Sequence, residues 1–395
     1  MNSIKKKIEW DKYILALSPI FLIFYISNET YAIDYRAFYL AGKSVLNNLN
    51  PYLNHISLSS DYYGPINAEL SKFSGWKYPP LASYIFTPLA SLPYEISKNI
   101  FNLISLVSVS LLTFFIIKKR IFYINPFSLI IVGISFPVLS IISRGQIEIL
   151  IVCIALISLY FYKQDKIFIS ASLIAILSFI KVFPLLLSLA FVRSYRKKKF
   201  FIYLIISLLI LYLLNLFLCP LEWRQSFIER IMVPWNQMPI GELRELPKNL
   251  GVIKDSMMVR TSDARNLFHS HFFVFGFANP LLSNNLFLSA IIGTFGALIC
   301  LFKYSKYSIT LCFLTIMNWI NIVNPISWIM GLFWYVPLFI FSYKKIKPSL
   351  KIIIALPLIL PPFLNVSGYL AALISLFIMQ FFSTESLNTF LNRKD

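Results

Sequence analysis

Charge is what this chain has least of. Only 13% of its 395 residues are Asp, Glu, Lys or Arg, where soluble domains carry roughly a quarter. Acids are scarcer still, at 17 against 36 bases. Four cysteines, Cys153, Cys219, Cys300 and Cys312, form no CxxC and no cluster with the three histidines His55, His269 and His271. That argues against a structural zinc site. Spans of strand length with alternating polarity are also missing, which argues against a transmembrane β-barrel.

What is present is apolar and grouped. Hydrophobic residues make up 58% of the chain and the mean hydropathy is +0.71. Six long stretches hold no Asp, Glu, Lys or Arg: Asn99–Ile117, Ile121–Ser143, Phe200–Leu221, Asn266–Phe302, Tyr307–Tyr343 and Ile352–Thr384. A helix rises about 1.5 Å per residue, so ~20 apolar residues cross a hydrocarbon core of ~30 Å. The expected fold class is an all-α polytopic membrane protein, one integral membrane domain over 1–395. Helices are expected near 13–27, 96–117, 122–142, 147–162, 167–180, 183–193, 200–219, 280–302, 308–323, 326–342, 350–364 and 368–383. That makes about 12 in all. The basic, apolar N-terminus has no small-residue cleavage site after it, and it reads as a retained first helix.

Charge location orients these helices. Short loops near residues 5–12, 118–120, 163–166, 193–199, 303–306, 344–351 and 393–394 hold 22 of the 36 bases, and such loops face the cytoplasm. Both termini are then cytoplasmic. The net charge of +19 reads as topology and attraction to anionic membrane lipids, and nucleic acid is not expected as a partner. Two long segments, 28–95 and 220–280, are assigned to the outer side. Residues 28–95 and 222–265 carry 11 of the 17 acids.

Several stretches on the outer side could carry chemistry. In "AIDYRAFYLAGKSVLNNLNPY" (32–52), positions 34, 38, 41 and 45 share one helical face, and Asn50-Pro51 ends the helix. Asp34 is either an acid favoured by the helix macrodipole or a functional carboxylate. "WKYPPLASYIFTPLASLP" (76–93) has too many prolines for a spanning helix, so it reads as a re-entrant or interfacial element. "SRGQIEIL" (143–150) is an outward turn with Arg144, Gln146 and Glu148, where an internal Arg144–Glu148 pair competes with a ligand role. "LSFIKVFPLLL" (177–187) holds Lys181, the single charge from 167 to 192. A lone intramembrane lysine is a candidate for a lipid phosphate, with snorkelling to the interface as the alternative. "KNLGVIKDSMMVRTSDAR" (248–265) supplies Asp255 and Arg260, and "NIVNPISWIMG" (321–331) supplies Asn324 and Trp328.

The order of these motifs resembles glycosyltransferase family 87, integral membrane enzymes of the GT-C class. The likeness rests on Asp34, Tyr39, Ala41 and Asn50-Pro51-Tyr52, then Tyr78 to Leu81, Gly145 to Glu148, and Lys181 to Pro184 before a basic run at 193–199. It covers roughly residues 30–345. This chain departs from the pattern in having Glu148 where Asn is usual, and Met330 and Gly331 where a histidine follows the tryptophan. "KDSMMVR" only loosely echoes a further motif of the family.

The resemblance implies a GT-C-type fold and a polyprenyl-phosphate sugar donor, with mannose as the sugar of the best-known members. It implies a glycolipid or glycan acceptor and an active site on the outer face of a bacterial inner membrane. On it, Asp34 is the base, and Lys181, Arg144 and Arg260 bind the donor phosphate. Tyr39, Asn50, Tyr52, Tyr78, Gln146 and Glu148 line the substrate cavity. No cofactor or metal site is expected, with a divalent ion left open. A transporter or flippase of lipid-linked glycans and an envelope polysaccharide polymerase are the alternatives.

Overall fold

The computed structural model describes residues 33–53, 76, 78–119, 126–133, 135, 137–138, 141–142, 145–232, 276–278, 286–305, 308–323, 326–343 and 348–359. The expected helices at 13–27 and 368–383, most of the second outer segment, Arg144, Arg260, Asp255, Asn324 and the three histidines lie outside these residues.

Helix α1 spans Ile33–Leu46 and is followed by a turn in which Asn48 has φ 56. Two four-residue helices, α2 (Pro80–Ser83) and α3 (Thr87–Ala90), are joined by one 3₁₀ turn, and both begin on proline-assisted turns. Long α4 (Tyr94–Lys119) and shorter α5 (Pro126–Gly133) come next. Then follow α6 (Glu148–Lys163), α7 (Ile167–Ile180), a 3₁₀ stretch Phe183–Phe191, α8 (Lys197–Leu218) and α9 (Leu221–Met232). The last part holds α10 (Leu286–Tyr304), α11 (Ile309–Val323), α12 (Val336–Tyr343) and α13 (Pro348–Ile359).

The all-helical expectation meets one local exception among the described residues. Residues 326–342 were expected to be one helix. Instead Ile326–Trp328 forms a strand antiparallel to Gly276–Ala278, with Phe277 opposite Ser327. A 3₁₀ stretch, Ile329–Tyr335, follows before α12 starts. An apolar run does not specify its own period when another backbone satisfies its hydrogen bonds.

The core is built by α6 and α7 as a hairpin, α8 laid along α7, and α11 set against the 183–191 stretch. Ala155, Ala171, Ile174, Ala175 and Leu177 on these two helices are buried, and the Ser158 hydroxyl donates to the Ser170 carbonyl across the hairpin at 2.9 Å. On the other side α1 packs against α3. At that crossing a Cβ on Gly42 would stand 2.6 Å from the Phe86 carbonyl oxygen and 2.9 Å from the Ala90 Cβ, so only glycine permits the approach.

Helix α8 differs from its neighbours. Its 22 residues are apolar enough to cross a membrane, and only 17% of its most apolar window is buried. Ile205 (63%), Leu209 (54%) and Phe217 (84%) are open. Helix α10 carries a second open apolar stripe, Ile291, Phe295, Ile299 and Phe302. Contiguous apolar surface of this kind is not left facing water in a monomeric soluble protein.

Candidate active site

Helix α7 stops at Lys181, whose backbone is extended (φ −133, ψ 129). Pro184 then opens the following 3₁₀ stretch, as proline does in a first helical turn. At the same end of the hairpin, Gly145 takes φ 67, a left-handed conformation that glycine adopts without steric cost. That turn starts α6 on Glu148, an acid placed where the helix dipole favours it. The two helix ends bring Glu148 and Lys181 together as an ion pair, with the ammonium bonded to Oε1.

Further groups converge on this pair. Trp334, from the Ile329–Tyr335 stretch, donates its indole N–H to Glu148 Oε2 at 2.8 Å. The Lys181 ammonium stands 5.7 Å from the Tyr78 ring centroid. Asp34, half-buried in the first turn of α1, acts electrostatically on both Tyr78 and Lys181. The structure thus gathers four of the residues singled out in the sequence, Asp34, Tyr78, Glu148 and Lys181, from four separate stretches. The partners of Lys181 and Glu148 among the described residues come from distant parts of the chain. The lysine is paired with a residue 33 positions away, and Glu148 accepts from both Lys181 and Trp334.

The electrostatics follow from the packing. Burial, the largest single effect, would lower the Lys181 ammonium, but the Glu148 carboxylate, Tyr78 and Asp34 together outweigh it. The lysine is therefore held protonated beyond its ordinary range. Burial likewise pushes the Tyr78 phenol up to about 12, against the opposing effect of the Lys181 charge.

Other expected cavity residues act at one remove. Asn50 donates to Ser226 Oγ at 2.9 Å and to Glu222 Oε1 at 3.2 Å, both on α9, while its Oδ1 accepts from the Tyr52 N–H at 3.1 Å. The Tyr52 hydroxyl donates to the Tyr78 carbonyl at 2.5 Å. Asn50 and Tyr52 therefore fix the backbone that carries Tyr78. Tyr39 is buried, with its hydroxyl on the Leu92 carbonyl at 2.8 Å and its ring edge-on to Tyr94. It joins α1 to the turn before α4. Gln146 is half-buried and its Oε1 accepts from the Ile147 N–H at 3.3 Å.

The proline-rich 76–93 element is broken into short turns, as expected. It is pinned from outside by Leu81 N–H to Asn215 Oδ1 (3.3 Å) and by the Tyr84 hydroxyl to the Leu218 carbonyl (2.7 Å), both at the end of α8. Helix α1 is buried on more than the face that positions 34, 38, 41 and 45 share. Tyr35, Arg36, Ala37, Phe38 and Tyr39 are all buried in succession, so its first turns are enclosed on every side. Arg36 lies with Cζ 5.4 Å from the Tyr94 ring centroid, and Lys98 approaches the same ring at 5.9 Å.

Sequence reasoning passed over Arg36 and Trp334. A buried indole N–H has to find an acceptor, which is the one signal that Trp334 offered. Among the described residues no group of three or more His, Cys, Asp or Glu is placed to hold a metal ion.

A helical scaffold with a long apolar helix left open along most of its length, and a charged cluster gathered at the end of a helix hairpin, is that of a membrane-type helical protein. The chain belongs to glycosyltransferase family 87, which it matches over residues 76–320, more than half its length. That family is one of membrane glycosyltransferases, so the protein is a glycosyltransferase, acting on a sugar donor and an acceptor. No curated protein and no solved structure matches the chain.

Proposed function

We propose that this glycosyltransferase moves a hexose, mannose being the first to test, from a polyprenyl-phosphate donor to a glycolipid or glycan acceptor. The reaction takes place on the outer face of a bacterial cytoplasmic membrane. The observation that carries the reading is the cluster itself: a carboxylate, Asp34, and an ammonium, Lys181, acting on one tyrosine, Tyr78. A lysine ammonium suits an anionic lipid phosphate, and a half-buried acid suits an incoming hydroxyl. The rest of the proposed architecture is a GT-C-type arrangement of about 12 spans. Its two outer segments, 28–95 and 220–280, cover the site, and both termini lie in the cytoplasm.

In the proposed reaction Asp34 takes the proton of the acceptor hydroxyl as its oxygen bonds to the anomeric carbon. The bond from that carbon to the phosphate oxygen breaks, and its electron pair leaves with the polyprenyl phosphate. The phosphate already carries charge, so neutralising it matters more than protonating it. Lys181 supplies that charge, with Arg144 and Arg260 as further phosphate-binding candidates. A single displacement inverts the anomeric centre.

Asp34→Asn keeps the size of the side chain and removes the base, and such a loss costs on the order of 10²–10⁴ in rate. Membranes containing this variant, supplied with a polyprenyl-phosphate hexose, should form at least a hundredfold less product. Full transfer by Asp34→Asn would show the mechanism to be wrong. Binding of labelled lipid-sugar by the parent protein with no product at any acceptor would favour carriage of the lipid over catalysis.

A further inference from the structure

The Glu148 carboxylate is held at both oxygens, Oε1 by the Lys181 ammonium and Oε2 by the Trp334 indole N–H at 2.8 Å. Glu148 and Trp334 are 8% and 5% exposed, so little water competes for these bonds. The indole comes from the 329–335 stretch, which packs against α6, and it reaches the first residue of that helix. A lysine ammonium is a mobile point charge on a four-carbon stem. Anchoring its carboxylate partner from the far side removes the freedom that the pair would otherwise keep. The ammonium has three N–H donors and Glu148 Oε1 takes one, so the group stays able to meet a second anion while Tyr78 faces it.

We infer that Trp334 is a positioning residue for the phosphate-binding ammonium, acting through Glu148 on Lys181. On this view Glu148 touches neither sugar nor acceptor. It is the link by which an indole on one element sets the place of a lysine on another. The inference rests on the reading of Lys181 as the group that meets the donor phosphate.

The test uses the full-length protein in detergent and radiolabelled undecaprenyl phosphate as the probe. Dissociation constants are measured for the parent, Trp334→Phe, Lys181→Met and the double variant. Trp334→Phe removes only the N–H donor and changes no charge. It should weaken binding roughly tenfold, which corresponds to one hydrogen bond to a charged group. In the Lys181→Met background the same change should have less than a twofold effect, because the group being positioned is gone. Glu148→Asp also preserves charge while shortening the link, and it should behave in the same way; it gives the answer if Trp334→Phe does not fold. Equal weakening in both backgrounds, or no weakening in the parent, would overturn the positioning role while leaving the donor reading intact. No binding of the lipid phosphate by the parent would instead overturn the donor reading, and the inference with it.

Discussion

Lys181 and Tyr78 each hold a proton more tightly in the folded protein than in the open chain, for different reasons. In Tyr78 burial disfavours the phenolate; in Lys181 the effects of Glu148, Tyr78 and Asp34 together overcome the larger single effect of burial. Unfolded, the two groups release their protons near pH 10. Both pKa values are raised, so this stabilisation is fully present below about pH 10 and is lost as pH rises towards the folded values. The thermal midpoint of the protein in detergent should therefore fall between about pH 10 and 12. Tyr78→Phe should make that fall shallower, by at most about 1.4 kcal/mol per pH unit for one proton. An identical slope in parent and variant would remove Tyr78 from this account. A second prediction concerns its backbone. Tyr52→Phe deletes the hydroxyl that holds the Tyr78 carbonyl and should cost about 1 kcal/mol of stability. It should also lower transfer activity with the helix content unchanged by circular dichroism, and unaltered activity would mean that the anchor is dispensable.

Elements carry the site through a few close approaches. The α1–α3 crossing depends on Gly42, where the atom in the way of a side chain is a backbone oxygen that cannot swing aside. Gly42→Ala should cost about 1–3 kcal/mol by overpacking and should shift Asp34, which stands on the same helix. Thermal unfolding and transfer rate measured together check this, and a variant as stable as the parent would mean that the helices separate freely. Legibility also varies by element. Helices α6, α7 and α8 fall within a few residues of their expected bounds, because each is an uninterrupted apolar run closed by charges or proline. The 326–342 run failed because its first residues pair with 276–278, and nothing within the run announces that partner. In the same way Lys181 stood out as a lone charge and Asp34 as an acid at a helix start. Trp334, one aromatic among many, acquired meaning only from Glu148, 186 positions away.

At the scale of the whole molecule, the exposed apolar face of α8 is the feature that ties the fold to lipid. Leu209 lies mid-helix and is 54% exposed. A lysine there should cost roughly 2.5–3.5 kcal/mol on insertion scales and should reduce the amount of protein retained in alkali-washed membranes. Normal retention of Leu209→Lys would argue that this face meets protein rather than lipid. Sequence alone determined that the chain is helical and apolar, where its polar groups lie along it, and which acid and lysine to watch. It could do so because helix formation and membrane preference depend on local runs of residues. Only the tertiary structure decided that Glu148 belongs to Lys181, that Trp334 completes the pair, and that Asp34 acts on the same tyrosine. Those interactions join segments far apart in the chain, brought together by the packing of helix ends, which no local pattern records.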